Sequence, residues 1–255
     1  MPILRINKAQ SCWQKNFIDF ILLIQVCFLL LALPKSSFAN VSDNNQVKGK
    51  SSQNKDFIEL YEQDLLLLEN YLNSIGNLTA NFTQNSLSGN VTGRFFFKKD
   101  INSASKISIQ YKGESKIKII VNGNVLAYQD LSLKEVSYFN IKDTPASFFA
   151  EKKISFANSQ FKILDIRKQK ITENDLSKGV KIIITIAKND DPEFSSFELL
   201  FFIEAKGGIE GNIELQGINA KNHNNEIIQF SLFNINKLTP ISNKIFTIPK
   251  KLTTE

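Results

Sequence analysis

The residues that could do acid–base or nucleophilic chemistry are few in this chain and lie apart. The 255 residues include one histidine, His223, so a Ser/His/Asp or Cys/His arrangement would have to be built on it. It lies in the polar turn 222–225, where a histidine is more often solvated than catalytic. The paired carboxylates Asp190 and Asp191 precede Pro192 in a predicted turn and are interpreted in the same way. We therefore predict that the protein is not an enzyme.

Metal and cofactor chemistry has equally little support in the sequence. No cluster of cysteine and histidine has metal-ligand spacing, and the acidic residues are scattered. Gly207-Gly208 lies between predicted strands, which is typical of a hairpin and not of a phosphate-binding loop. We predict no metal and no cofactor.

One stretch is rich in phenylalanine, a residue that occurs 21 times in the chain. It is Gly93–Asp100, Gly-Arg-Phe-Phe-Phe-Lys-Lys-Asp. Side chains alternate along a strand, so Phe95 and Phe97 share one face and Phe96 lies on the other. So much apolar surface on one strand must be covered, either by a protein core or by a ligand that is itself apolar.

The first 39 residues differ in kind from the rest. Three basic residues precede an apolar run over Ile21–Leu33, and the small residues Ser37 and Ala39 stand where a signal peptidase reads. This pattern predicts a secretory signal peptide, residues 1–39. The alternative is an uncleaved membrane anchor, but a run of about 13 residues is shorter than the roughly 20 that a spanning helix needs.

Removing this segment changes the composition of the chain. Both cysteines, Cys12 and Cys27, lie in it, so the mature chain would contain no disulfide. No small-residue cleavage signal precedes Cys27, which argues against a lipoprotein. The mature chain retains 27 basic and 24 acidic residues, and its net charge falls from +6 to +3. This charge gives little support for a nucleic-acid partner.

The mature chain divides into a polar segment and one larger domain. Residues 40–55 are polar and unpatterned and predict a flexible linker, and residues 56–255 form the predicted domain. Apolar residues at three- and four-residue spacing over Asp56–Ile75 predict an amphipathic helix. Pro145 at a helix start predicts a second, short helix over Ser147–Lys152.

After Gly76 the apolar period changes to two, which is typical of antiparallel strands. The turn Asn122-Gly123-Asn124 predicts a hairpin. The predicted strands lie at 78–82, 91–97, 107–111, 117–121, 161–164, 180–187, 197–204, 209–218, 226–235 and 244–248. A sheet of roughly 11 strands curls towards a barrel, whose open mouth the two helices would cover. Too few helical residues are available to fill its concave side, which predicts an apolar cavity of the kind that binds lipids; the alternative is an ordinary core.

The order of these elements and several short patches resemble the LolA family of periplasmic carriers of outer-membrane lipoproteins. The patches are Phe82-Thr83-Gln84, Gly93–Lys99, Val121–Leu126 followed by Tyr128, Thr144–Ser147 and Phe246–Lys250. The resemblance covers most of residues 56–252. It implies a mainly β fold with some α structure, in which an unclosed antiparallel β-barrel and a helical lid enclose an apolar cavity.

The resemblance also implies a binding site and a gate. Lipoprotein acyl chains would bind against Phe82, Phe95, Phe97, Ile107, Ile109, Ile119, Phe148 and Phe149. In the family an arginine that follows the aromatic strand ties the lid to the sheet, and here Lys99 stands in its place as the expected lid latch. Because lysine has no planar fork of donors, we expect this latch to be weaker or differently built.

The implied partners are acylated lipoproteins, an inner-membrane ABC transporter that releases them and an outer-membrane acceptor, with the carrier a periplasmic monomer. Exposing an acyl chain of ~16 carbons to water costs on the order of 10 kcal/mol, at about 0.8 kcal/mol per CH₂, so such a cargo needs an escort. The alternative function is a periplasmic lipid-sensing regulatory or adaptor module with the same fold.

Overall fold

The structure, a computed structural model, describes residues 59–87, 89–100, 103–113, 116–144, 146–157, 160–171, 178–189, 196–205, 211–221 and 226–250. The predicted signal peptide and linker lie outside these residues, and so do His223, Asp190, Asp191 and Gly207-Gly208. Among the described residues, no helix is both long and apolar enough to cross a membrane.

Eleven strands form one antiparallel sheet, ordered β6-β5-β4-β3-β2-β1-β11-β10-β9-β8-β7. The strands are β1 (Asn77–Ser86), β2 (Gly89–Lys98), β3 (Lys106–Lys112), β4 (Ile117–Asn122), β5 (Val125–Asp130), β6 (Glu135–Asn140), β7 (Phe161–Ile171), β8 (Gly179–Lys188), β9 (Phe197–Glu204), β10 (Ile213–Lys221) and β11 (Ile227–Asn236). The helices of the described part are α1 (Glu62–Ser74) and α2 (Ser147–Ala150), with 3₁₀ turns η1 (Ile141–Asp143) and η2 (Asn243–Phe246). The sheet stays unclosed because β6 and β7 are its two edges, which confirms the predicted fold class.

Three details differ from the sequence prediction. The segment predicted as a strand over 244–248 forms η2, because the Ser242 side chain caps the turn and Phe246 points into a buried cluster. Strands β5 and β6 were not among the predicted strands: the hairpin turn at Asn122-Gly123-Asn124 only implied β5, and β6 is an exposed edge strand without a clean apolar alternation. Leu60, one of the apolar residues whose three- and four-residue spacing predicts the helix over Asp56–Ile75, is 74% exposed.

Alternating burial along the strands gives the sheet one continuous apolar side. In β1 every second residue from Leu78 to Gln84 is buried, as the period-two pattern predicts. The buried face of α1, which is Leu65, Leu68, Tyr71 and Leu72, packs into the same cluster. The helix therefore lies across the concave side of the sheet.

Gly93 allows a close approach at the centre of this sheet. It pairs directly with Phe82 on one side and Tyr111 on the other. A Cβ built on it would lie 2.3 Å from the Gln110 carbonyl oxygen and 2.4 Å from the Phe82 ring. The Phe82 ring stacks on Phe230 at 4.3 Å between centroids, so the space over Gly93 is already filled.

We expect Gly93→Ala to lower the free energy of unfolding by about 1–3 kcal/mol, because the added methyl overpacks a backbone carbonyl and a buried ring. Urea unfolding measures the change. Gly76→Ala is the matched control, since a Cβ there meets no atom within 4 Å. Equal effects of the two substitutions would contradict the packing explanation.

The convex side of the sheet is partly covered by residues 241–249, which we call the C-terminal strap. Phe96, on the opposite face of β2 from Phe95 and Phe97, is buried against Ile241 and Phe246 of the strap. The strap carbonyls of Phe246 and Pro249 accept hydrogen bonds from Asn122 Nδ2 at 3.0 Å and Tyr138 Oη at 2.8 Å. It therefore crosses the sheet from β2 to β6.

Candidate functional site

The concave side of the sheet brings the predicted lipid-binding residues together. All eight belong to one apolar cluster: Phe82, Phe95, Phe97, Ile107 and Phe148 are buried in it, and Ile109, Ile119 and Phe149 are half-buried and pack against it. They come from β1–β4 and from α2. The alternation of apolar residues along the strands thus places six of these residues on one face of the sheet. Helix α2 contributes the other two, Phe148 and Phe149, which pack against that face.

Helix α1 and the segment Ser147–Phe156, which we call the lid segment, cover this face. Leu68 of α1, Phe148 of α2 and the non-helical residues Ile154 and Phe156 are all buried in the cluster. The sequence prediction considered only helical residues as a cover for the concave side, and did not include non-helical residues such as Ile154 and Phe156. In this conformation these side chains cover the concave face, and an apolar ligand would reach it by displacing the lid segment or α1.

The lid segment is held to the sheet by aromatic contacts around Phe148. Its ring lies 5.4 Å from that of Phe161 on β7 and 5.9 Å from that of Phe197 on β9, both in edge-to-face geometry. Edge-to-face pairs at this spacing are favourable beyond their buried area. The contacts place the lid segment over β7–β9, while Phe149 adjoins Phe148 at 5.4 Å.

Lys99, the predicted lid latch, links the end of β2 to helix α1. Its Nζ donates to Asn73 Oδ1 at 2.9 Å, and its backbone N–H donates to the Gly76 carbonyl at 2.8 Å. Burial lowers the pKa of the Lys99 ammonium. The lysine thus reaches a single side-chain oxygen on α1, as expected for a point charge without a planar fork.

Asn73 joins this lysine to the lid segment. Its Nδ2 donates to the Ile154 carbonyl at 2.8 Å, and its Oδ1 accepts from the Ile154 backbone N–H at 2.9 Å. The same Nδ2 also donates to the Glu69 carbonyl within α1 at 2.8 Å. One amide side chain therefore connects helix, lid segment and sheet.

Glu69, one helical turn before Asn73, makes a second connection to the lid segment. Its Oε1 accepts from Ser155 Oγ at 2.9 Å and from the Phe156 backbone N–H. We call Glu69, Asn73 and Lys99 the lid clamp. Glu69 and Asn73 were not predicted from the sequence. Two polar residues four positions apart, beside the apolar face of a predicted helix, lie next to each other on the helix surface and could have indicated a shared contact.

The rest of α1 is anchored to the other half of the sheet. Tyr71 Oη accepts from the Leu215 backbone N–H of β10 at 3.0 Å, and burial raises the pKa of the Tyr71 hydroxyl. Nearer its start, Asp64 accepts from Lys168 Nζ of β7 at 2.8 Å. The helix therefore bridges both halves of the sheet, and the clamp holds only its C-terminal end.

A hydrogen-bonded polar pair lies within the apolar concave face. Tyr111 Oη donates to Gln84 Oε1 at 2.7 Å, and both side chains are buried. Because each of these two side chains has a hydrogen-bond partner, the pair can stay buried among apolar residues. Among the described residues, no three His, Cys, Asp or Glu side chains are grouped so that they could hold a metal ion.

No protein-family model matches the chain, and no curated protein does. Solved structures match it in fold at low identity. One is a candidate outer membrane lipoprotein-sorting protein domain from Vibrio parahaemolyticus, with a TM-score of 0.42 and 8% identity, over 72% of this chain and 94% of that one. Another, from Nitrosomonas europaea, has a TM-score of 0.35 and 14% identity, over 69% and 91%. It is a LolA superfamily protein.

A third match is the MucA/MucB complex of Pseudomonas aeruginosa, with a TM-score of 0.41 and 9% identity, over 73% of this chain and 60% of that one. These neighbours include the family that the sequence patches resemble. Likenesses this distant concern the type of fold alone.

Proposed function

We propose that the protein is a periplasmic carrier that binds the acyl chains of lipoproteins inside the half-barrel and shuttles them from the inner to the outer membrane. The observation that carries this proposal is the continuous apolar concave face, closed by a lid segment that the three-residue clamp ties to helix and sheet. The predicted lipid-binding residues line that face, and Lys99 belongs to the clamp.

Loading exchanges one set of apolar contacts for another. When the lid segment moves outward, an acyl chain would take the place that Phe148 and Ile154 fill in the apolar cluster, between the sheet and Phe149 of the displaced lid segment. Clamp hydrogen bonds contribute roughly 1 kcal/mol each. An acyl chain of ~16 carbons gains on the order of 10 kcal/mol when buried. Opening also exposes lid side chains such as Phe148 and Ile154, at about 1.5–3 kcal/mol each. The gain from the acyl chain and the cost of opening are therefore of similar size, and loading can be reversible without nucleotide or cofactor on the carrier itself.

Delivery follows from the same balance. A carrier of this kind would receive its cargo from an inner-membrane ABC transporter that releases lipoproteins and pass it to an outer-membrane acceptor with a more favourable apolar site. Once the acyl chains leave, the lid segment can return and the clamp hydrogen bonds can re-form. The closed conformation described above then corresponds to the unloaded carrier.

The test is cargo binding by the full-length protein expressed in a Gram-negative host and recovered from the periplasm. Native mass spectrometry should find acylated lipoprotein or lipid bound to it. Titration with a fluorescent fatty acid then measures affinity. We expect Phe149→Gln to weaken binding by about 10- to 100-fold, because one buried aromatic side chain contributes about 1.5–3 kcal/mol. Phe149 is half-buried, so this substitution is expected to leave the sheet folded.

Phe233→Gln is the matched control, since Phe233 lies on the convex face and is 43% exposed. We expect this variant to bind as the parent does. A protein that carries no acyl compound, together with equal affinities of the two variants for the fatty acid, would exclude the carrier. Retained acyl binding without any bound lipoprotein would favour the lipid-sensing alternative.

A further inference from the structure

The convex face of the sheet has an unusual charge distribution. Strand register defines the outward positions of β1–β6 and β11, which are those opposite to the apolar cluster. In these fully described strands no outward position holds an aspartate or a glutamate. Their two acidic residues, Asp130 and Glu135, lie opposite each other in the β5–β6 register, on the inward side. The outward positions instead carry uncharged polar residues, apolar residues such as Phe96 and Ile120, and cations.

Three of these cations lie beyond the C-terminal strap on adjacent strands. Arg94 of β2 and Lys118 of β4 lie on either side of Gln110 in one cross-strand row, and Lys112 of β3 follows Gln110 on the same face. The Arg94 guanidinium lies 4.9 Å from the centroid of the Phe96 ring, which orients it along the strand. Burial lowers the pKa of the Lys118 ammonium, so this cation gains from an anionic neighbour.

Basic residues elsewhere on this face have partners. Asp100, at the opposite end of β2, contacts Lys106 Nζ at 2.9 Å and Lys98 Nζ at 3.8 Å. Lys98 also donates to the strap at Asn243 Oδ1, 3.0 Å away. Arg94, Lys112 and Lys118, which we call the cationic row, thus lie apart from Asp100, whose carboxylate neutralises the other end of this face. Glu114, in the β3–β4 turn, lies outside the described residues.

Exposed apolar side chains lie along the same edge of the sheet, in the β1–β2 and β5–β6 turns and at the start of β11. We call them the turn rim: Leu87 is 84% exposed, Ile227 55%, Leu131 48% and Leu133 47%. Leu131 and Leu133 belong to a turn that is fixed by Asp130, whose Oδ1 accepts from the Ser132 and Leu133 backbone N–H groups. The buried carboxylate therefore holds this turn in place.

We propose that the corner formed by this cationic row and the turn rim docks on the surface of an anionic phospholipid bilayer. Exposed leucines beside lysines match the two layers of such a surface, since the apolar tips enter the acyl boundary while the cations face the headgroup phosphates. A nucleic acid or an anionic glycan would match the cations but would leave the leucines in water. The surface lies on the other side of the sheet from the proposed cargo site and needs no bound cargo.

Co-sedimentation of the full-length protein with vesicles tests this inference. We expect binding to vesicles of phosphatidylcholine mixed with phosphatidylglycerol and little binding to phosphatidylcholine alone, with release at high salt. The triple variant Arg94→Gln, Lys112→Gln, Lys118→Gln should weaken binding roughly 100-fold, because each cation near an anionic surface contributes about fivefold. Leu131→Ser with Leu133→Ser should weaken binding to the same vesicles by more than tenfold.

Matched controls come from the other faces of the molecule. Lys152→Gln with Lys153→Gln removes exposed cations of the lid segment, and Leu238→Ser removes a leucine that is 91% exposed; neither should change vesicle binding. Equal binding to both vesicle types, or controls that weaken binding as much as the test variants, would overturn the inference. The cargo variant Phe149→Gln should dock normally, so loss of acyl binding and loss of docking are separate outcomes.

Discussion

Replacing Asn73 with leucine is expected to lower the free energy of unfolding by about 3–4 kcal/mol and to increase hydrogen exchange in the lid segment. The substitution keeps the number and branching of the side-chain heavy atoms but removes hydrogen bonds to both backbone groups of Ile154 and to Lys99 Nζ. Each lost hydrogen bond costs about 1 kcal/mol, and groups left buried without a partner cost more. Urea unfolding gives the stability change, and hydrogen exchange of residues 147–156 gives the local opening.

Two comparisons make this result specific to the clamp. Asn90→Leu applies the same change at an exposed position of β2 and should alter stability by less than about 0.5 kcal/mol. Lys99→Met removes one hydrogen bond of the clamp and should cost about 1–2 kcal/mol. If Lys99→Met destabilised the protein more than Asn73→Leu, the lysine and not the asparagine would be the centre of the clamp.

Phe246→Ala is expected to lower the free energy of unfolding by about 3–5 kcal/mol, the usual cost of truncating a buried phenylalanine. The ring is fully buried, with an exposed fraction of 0%, and it packs with Ile241 against Phe96 on the convex face. Losing it also loosens the strap backbone that Asn122 and Tyr138 hold. Urea unfolding measures this effect, and we expect the slope of the unfolding free energy against urea concentration to stay unchanged.

Phe233→Ala is the control for this substitution, because its ring is on the same face but partly exposed, and we expect a loss of less than about 1 kcal/mol. The strap lies on the opposite side of the sheet from the acyl site, so folded Phe246→Ala should bind the fatty acid as the parent does. Weakened acyl binding by the folded variant would show that the strap also shapes the concave side.

Strand periodicity is the part of the fold that the sequence predicts well. The alternation of Leu78, Ala80 and Phe82 identifies both β1 and its inward face, because one side of the strand is buried and the other is not. Edge strand β6 was not predicted from this alternation, because Tyr138 and Phe139 put aromatic rings on both faces of the strand. The C-terminal segment was predicted as a strand because apolar residues alternate around Phe246. In the structure the same residues form a 3₁₀ turn that packs on the sheet.

The lid clamp shows what periodicity cannot predict. Lys99 could be predicted as a lid latch from its position after the aromatic strand, but its hydrogen-bond partner Asn73 could not be predicted. Asn73 bonds to Ile154, 81 residues away, and an asparagine in a chain rich in asparagine has no distinctive local pattern. Such contacts depend on how the lid segment folds back over the sheet, which is a tertiary property. The apolar lining was predictable because burial repeats along each strand, whereas single hydrogen-bonded partners do not repeat.

The strand order also governs when the protein can finish folding. Strands β1–β6 and β7–β11 are two meanders of sequential neighbours, and the sheet becomes continuous only where the first strand pairs with the last, β1 with β11. Hairpins within each meander close short loops, but this central pairing closes nearly the whole domain and must come late. A chain that emerges N-terminus first therefore keeps one edge of β1 unpaired until β11 has emerged. During that interval the unpaired edge is open to pairing with other chains.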